Sequence, residues 1–527
     1  MKKKQGFVQG ALILAAASLI VKIIGAVYKI PLRRFILDAE GIGLYNSAYT
    51  IYNVLFIIAT AGIPVAISKM ISESIVKENY RETARIYRVS KILLTVIGLL
   101  GTAIMFFGAG IFAQLISAPS ATYPIMALAP SLFFVCIMSA YRGFNQGMSN
   151  MTPTAVSEII ESTGKLVLGL VLAYIMLPFG KNFSAAGAIL GVSTGTFIGA
   201  VYLFTFNRKN KRELKALIKN SDEKEQRTTK QILKRLLTLA IPITIGSTVF
   251  TLATVIDLGM IMNQLKALGY DETTRVRMYG YYASDAVTMF NMPTTVISTL
   301  GVSIVPAIAG ALAIGNKKEA RTTAETALRL TVMLALPCAI GMSTLAEPIL
   351  NLAYGDFGAT SILRILALGI VFLSLVMITN SILQSMGKVW IPIANMAVGA
   401  VTKVAVNYML VGNPEINING APVGTVLCYA VTSILNLVAL RKYLKPEVGV
   451  SFIVKELLVT VVMGVCAKCI YELVQNVTDY KIALLAAVVF AVIIYFAGLI
   501  ILKAIRKEDI DSMPGAAKIH KIIGRFL

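Results

Sequence analysis

The chain has 527 residues, of which 57% are apolar and 14% charged, with a mean hydropathy of +0.76 and a formal net charge of +22. Apolar runs of about 20 residues recur along its length, long enough to cross a bilayer as helices. That pattern excludes a soluble enzyme. It also excludes a membrane β-barrel, whose strands alternate in polarity over about ten residues.

Fourteen spanning segments are predicted, at 7–30, 43–69, 89–112, 122–146, 154–178, 184–206, 234–264, 279–313, 324–345, 358–385, 389–411, 419–440, 452–475 and 482–505. The first follows Met1-Lys2-Lys3-Lys4 and contains Ala15-Ala16-Ala17-Ser18, which imitates a secretory leader. Those small residues lie inside the run, so an uncleaved membrane helix is expected. The segment carries Lys22 and Lys29 on one face, with Gly25 and Tyr28 between them. Arg33 and Arg34 follow at its outer end, against the positive-inside trend. Basic residues on the disfavoured side, continuous with a basic helix face, would line an anion path.

The second segment holds Asn53 and is interrupted at Gly62-Ile63-Pro64. Arg142 lies at the cytoplasmic end of the fourth, and the fifth carries Glu158, Glu161 and Lys165 at i, i+3 and i+7. That stripe makes pairing within the helix available. Eleven Lys and Arg fall between Arg208 and Arg235, among Asp222, Glu223 and Glu225, which fits a solvated linker beside anionic lipid and not a nucleic-acid site. Basic residues concentrate in alternate loops on the side of the N-terminus, which places both termini in the cytoplasm.

Further along, Asp257 and Pro242 fall in the seventh segment, and Asp285, Asn291, Pro293, Gly301 and Pro306 in the eighth. Asn395, Lys403 and Asn407 fall in the eleventh. Gly62, Pro64, Pro293, Gly301 and Pro306 are hinge candidates, because Pro removes a backbone donor and crowds the preceding turn. A charge at mid-membrane costs from about 3 to above 10 kcal/mol, so it faces a wet cavity or a partner. Cavity roles are expected for Lys22, Lys165, Asp257 and Lys403, with an Asp257–Lys403 ion pair as the structural alternative. An amine-rich cavity suits an anion, and Lys offers a mobile point charge to a phosphate that must later be released.

No phosphate-binding loop of the G-x-x-x-x-G-K-[ST] type occurs, and the one histidine, His520, lies in the tail. No enzymatic machinery and no cofactor are therefore expected, and transport would draw on a sodium ion, a proton, the membrane potential or the substrate gradient. The five cysteines fall within spans, and Cys466 and Cys469 read as packing residues, with no metal site.

A repeat organises these segments. Gln146, Met148, Pro153, Lys165 and Gly187 are echoed by Gln384, Met386, Pro392, Lys403 and Gly424, with nineteen residues from Gln to Lys in both copies. Ala61-Gly62-Ile63-Pro64 is echoed by Ser303-Ile304-Val305-Pro306. The expected division is a first lobe at 1–207, a basic linker at 208–231, a second lobe at 232–441, two extra helices at 452–506 and a tail at 507–527. Six helices per copy give both lobes the same orientation, with a cavity between them for alternating access.

Val21-Lys22-Ile23-Ile24-Gly25 resembles the basic-x-x-Gly signature of the lipid II flippases, the MurJ-like family of the MOP exporter superfamily. Tyr281-Tyr282-Ala283, Met292-Pro293, Leu300-Gly301-Val302, Val305-Pro306, Gly315-Asn316 and Ala327-Leu328-Arg329-Leu330 through Leu336-Pro337 are similar to that family's eighth and ninth helices. The likeness covers nearly the whole chain and is closest to the branch named for stage V sporulation protein B. It implies an all-α, MATE-like fold in the bacterial cytoplasmic membrane, acting as a monomer alongside cell-wall synthesis proteins. It also implies a lipid-linked oligosaccharide as cargo, basic cavity residues on its pyrophosphate, and a tail groove on the last two helices. Lys22 falls on a matching cavity position. The chain departs from the pattern in having Tyr28 then Lys29 where many members have Arg, and Asp285 alone where an Asp-Arg pair is expected. Asp257 matches a sodium-binding carboxylate, for which Lys403 would substitute the ion. Flippases for other undecaprenyl-linked glycans share these features, whereas a cation-coupled drug exporter would want an acidic cavity.

Overall fold

The computed structural model describes residues 7–219 and 227–504. These fold as helices and short connections, and they fall into two compact units, up to Gly280 and from Tyr281. In the first unit the helices are α1 (Phe7–Pro31), α2 (Ala39–Thr60), α3 (Ile63–Val76), α4 (Tyr80–Phe107) and α5 (Ala109–Leu115). They continue as α6 (Thr122–Gly147), α7 (Thr152–Met176), α8 (Lys181–Lys219), α9 (Thr229–Ala267) and α10 (Glu272–Gly280). The second unit holds α11 (Val287–Ala313), α12 (Lys317–Thr344), α13 (Ala346–Tyr354) and α14 (Thr360–Ser385), followed by α15 (Trp390–Val411), α16 (Gly420–Tyr443), α17 (Val450–Gln475) and α18 (Tyr480–Ile501).

Among the described residues, eleven stretches are long and apolar enough to span a membrane. The other three segments expected to span, α1, α9 and α11, are helices of 25, 39 and 27 residues. Two of the predicted spans are not simple rods. The second breaks between α2 and α3 at Gly62, with Pro64 in the first turn of α3, where its missing N–H costs nothing. The eighth opens with a π-helical turn at Tyr281–Ala286, and a second such turn, Leu32–Ile36, follows α1. α11 runs through Pro293, Gly301 and Pro306 without interruption.

The repeat is visible in the way helices end. α4 and α12 are both capped by an asparagine, Asn79 and Asn316, whose side-chain oxygen accepts the amide of Glu82 or Glu319 at 3.1 Å. Both α6 and α14 close with the same pair of backbone bonds. Ser149 and Gly387 donate to Gln146 and Gln384 at 2.9 Å, and Asn150 and Lys388 donate to Asn145 and Leu383. Ser149 and Gly387 are also both left-handed, at φ +57° and +73°. The second copy uses glycine there, which adopts that region freely, and the first copy tolerates a strained serine.

Lys165 and Lys403 lie on equivalent helix pairs. α7 packs on α8 through facing glycines, Gly164 on Gly195 and Gly169 on Gly191. In the second copy α15 packs on α16 through Gly399 against Cys428 and Gly424 against Asn407. Small residues are the means by which membrane helices gain close van der Waals contact when lipid offers no hydrophobic drive.

The first unit extends past the basic linker, because α9 packs on α2, α3 and α4, and α10 packs on α2. Ile67, Met70, Ile71, Ile86, Phe144 and Leu236 form the core where these helices meet. The repeat places α9 at the head of the second lobe. Duplication in sequence and packing in space thus divide the chain at different points. In the second unit α17 and α18 are fixed to α12 by buried polar groups. The Tyr495 hydroxyl donates to the Met333 carbonyl at 2.6 Å and is hydrogen-bonded with Glu456, and Arg329 lies 3.9 Å from the centroid of the Phe452 ring.

The left-handed serine gives a direct check on the repeat. Ser149→Gly relieves strain of about 1 kcal/mol and raises the thermal midpoint of the purified protein, whereas Gly387→Ala lowers it. A shift in one variant without the opposite shift in the other would mean that the two helix ends are not equivalent.

Candidate functional site

A cavity of about 340 Å3, lined by both charged and apolar side chains, opens within the first unit. α1 contributes Val21, Ile24, Gly25 and Tyr28; α2 contributes Tyr49 and Phe56; α6 and α7 bring Arg142, Glu158, Glu161, Ser162 and Lys165. The charged residues that the sequence places on different segments, Arg142 and Lys165, therefore meet in one space.

The internal pairing expected along α7 is not made. Glu161 accepts from Arg142 at 3.0 Å, across to α6, and Arg142 also donates from Nε to Ser157 at 3.0 Å. The pair is largely shielded, with side chains 15% and 22% exposed. The guanidinium bonds Ser157 as well as Glu161, and this second anchor fixes it beside the carboxylate in a way that the single-point ammonium of Lys165 cannot match.

Lys165 turns instead to aromatic faces. Its Nζ lies 5.1 Å from the ring centroid of Tyr28, 5.8 Å from Tyr45 and 4.8 Å from Tyr49. Each such contact contributes about 0.5–2 kcal/mol, more where water is excluded. The rings themselves are ordered by their surroundings. Tyr28 is fully buried and donates its hydroxyl to the Ala188 carbonyl on α8 at 3.0 Å. Tyr45 packs against both Tyr28 and Tyr49. Tyr45, Tyr49, Tyr52 and Phe56 continue as one ladder of touching rings along α2. Their spacing of four, three and four residues is the periodicity of one helix face, and it was legible in the sequence as an aromatic stripe.

Glu158 sits seven residues before Lys165, about 10 Å along the helix axis. The two carboxylates thus lie toward one end of the cavity, and the ammonium lies at mid-helix with no carboxylate partner among the described residues. An uncompensated cation on soft, neutral walls can receive an anionic group and let it go.

The remaining sequence candidates are distributed as follows. Lys22 is exposed, and with Lys29 it flanks the cavity-facing side of α1, about 100° round the helix from Val21. Arg33, in the π-helical turn, is buried at 4% exposure. Burial pushes the nearby Asp38 carboxyl up, but the Gly41 amide, Lys181 and Arg33 outweigh this and hold it below the usual carboxylate range. Lys181 bonds both Asp38 and Glu40, at 2.7 and 2.6 Å, tying the start of α8 to that of α2. Asn53 is half-buried on α2, outside the cavity lining.

Asp257 is buried on α9 in the first unit. In the second unit Lys403 donates to the Tyr282 hydroxyl at 3.4 Å, and Tyr282 shares a hydrogen bond with Thr425 at 2.8 Å. Asn407 is buried against Gly424, Asp285 is buried in the π-helical turn, and Asn291 is exposed. On the outer helices, Leu458, Val459 and Val462 of α17 and Ile494, Ala497 and Gly498 of α18 line an apolar groove of about 320 Å3.

Residues 7–312 match the family model described as polysaccharide biosynthesis protein, and residues 283–409 match the MatE model. The stage V sporulation protein B of Bacillus subtilis (strain 168) is 25% identical over 99% of this chain and 99% of its own length. The lipid II flippase MurJ of the same organism is 24% identical, covering 92% of each. Among solved structures, a lipid II flippase MurJ in an inward closed conformation superposes with a TM-score of 0.70 at 14% identity, covering 93% of this chain and 98% of that one. The chain shares the fold of that solved structure and is a multi-pass membrane protein.

The Arg142–Glu161 pair has a measurable signature. Arg142→Ala leaves two carboxylates facing one cavity without a guanidinium, and it destabilises the protein by about 2 kcal/mol. Adding Glu161→Ala recovers part of that loss. Thermal unfolding in detergent checks both, and a neutral Arg142→Ala would contradict the pairing.

Proposed function

This chain belongs to the polysaccharide biosynthesis protein family, and we propose that within it the protein is a flippase for lipid II, the undecaprenyl-pyrophosphate-linked precursor of peptidoglycan. The observation that carries this reading is the mid-membrane ammonium of Lys165, which faces a cavity with charged side chains in its lining and has no carboxylate partner among the described residues. Such a group is costly in hydrocarbon, and facing a cavity leaves it able to meet an anion. A pyrophosphate supplies that charge, and Lys22 and Lys29 beside the cavity face of α1 extend the basic surface along its path. The apolar groove on α17 and α18 suits the polyprenyl tail. A relative named as a lipid II flippase, 24% identical over 92% of each chain, supports the cargo class.

Translocation proceeds by alternating access between two lobes at 1–207 and 232–441, in the cytoplasmic membrane, with both termini inside and one chain sufficing. Gly62 and Pro64, at the break between α2 and α3, are the hinge positions best placed to absorb a change of angle. Pro293, Gly301 and Pro306, within one unbroken helix, would act by bending it. Asp257, Asp285, Lys403, Asn407 and Asn291 serve the second lobe, where a sodium ion or proton would couple. A flippase for another undecaprenyl-linked glycan is the second reading. It is favoured by the family description, which names polysaccharide biosynthesis in general.

Cells depleted of their own lipid II flippase test this directly. The chain restores growth, and Lys22→Ala and Lys165→Met each abolish the rescue at unchanged protein level in the membrane. Failure of the native chain despite normal insertion would favour the second reading. Full activity of either variant would remove that lysine from the site.

A further inference from the structure

The three rings around Lys165 come from two helices, and they are not equivalent. Tyr28 and Tyr45 are buried, and Tyr28 is tied to the backbone of α8. Tyr28 and Tyr49 both line the cavity, and Tyr49 is the one of the three rings that is only half-buried. The ammonium therefore has two buried walls and one more exposed wall beside the cavity. Its natural partner by helix spacing, Glu161, is held by Arg142. Aromatic cages of this kind select ammonium groups through the negative face of the ring, and they do so without supplying a neutralising charge.

We propose that Tyr28, Tyr45 and Tyr49 form a cation site whose resident is the chain's own Lys165, an ammonium parked there between transport events and handed to the pyrophosphate when cargo enters. This rests on the reading of the cavity as a pyrophosphate site. The cage holds the amine among ring faces while Arg142 holds Glu161. Because its hold is of the same order as a charge-assisted hydrogen bond to phosphate, the anion extracts the lysine and the rings reclaim it on release. A carboxylate partner would oppose both steps, by neutralising the cation and by repelling the incoming anion. The flexible four-carbon stem of lysine permits the two positions, which a planar, multiply bonded guanidinium would not. Tyr49 is thus a positioning residue that acts through Lys165.

Two measurements test the proposal. In the first, with no cargo present, the purified full chain is reductively methylated and Lys165 is followed by peptide mass spectrometry. Tyr49→Leu opens the cage and speeds modification about fivefold, whereas Tyr49→Phe, which keeps the ring, leaves the rate unchanged. Equal rates in all three proteins would overturn the cage.

In the second, binding of undecaprenyl pyrophosphate in detergent is compared across a double-mutant cycle. Tyr49→Leu strengthens binding about fivefold in the native background, because the anion no longer has to draw the lysine off that ring, and has no effect in the Lys165→Met background. The same change in both backgrounds would show that Tyr49 acts through packing, and would overturn the proposal. If the methylation rates differ as expected but even the native chain fails to bind undecaprenyl pyrophosphate, the cage is upheld. In that case the handover and the pyrophosphate reading fail together.

Discussion

A charged side chain in the middle of a membrane helix must be surrounded by something other than lipid, and the interior of the first unit is arranged around that requirement at Lys165. The close glycine packing of α7 on α8 fixes the lysine at mid-helix, and α1 and α2 supply the rings that receive it. Arg142 removes the one carboxylate that would otherwise quench it. The site is therefore built by division of labour: a guanidinium with two fixed partners makes the structural ion pair, and the mobile ammonium is left for exchange.

The second copy keeps the frame and changes the chemistry. Its asparagine cap, its left-handed helix end and its glycine-mediated helix pair repeat those of the first. Lys403 also meets a tyrosine, but through that residue's hydroxyl, which is already shared with Thr425. A lysine held at one hydroxyl is set differently from one surrounded by three rings. Duplication preserved backbone geometry because helix ends and close contacts tolerate few residues, while cavity side chains were free to diverge.

What could be read in advance follows the same line. The spans were legible because apolar length is a property of consecutive residues, and the repeat was legible from Gln146, Lys165 and Gly187 against Gln384, Lys403 and Gly424. The break at Gly62 was legible from glycine and proline chemistry. The pairing of Glu161 was not. Along α7 alone Lys165 is its nearest cation, and only the packing of α6 beside it brings Arg142 within 3.0 Å. Lys22 is a motif position that the sequence brings forward, yet rotation about the helix axis sets it beside the cavity lining. The tyrosine stripe of α2 carried a signal of its own in its helical spacing, but helical aromatics are usually core, and the cage exists only once Lys165 reaches them.

The central claim is that cargo crosses on an exchangeable lysine. It is tested most directly by translocation of a fluorescent lipid II in proteoliposomes, comparing the native chain with Lys165→Met at equal reconstitution. The account predicts a fall in rate of at least about tenfold, the scale of one lost charge-assisted contact. Equal rates in the two proteins would contradict it.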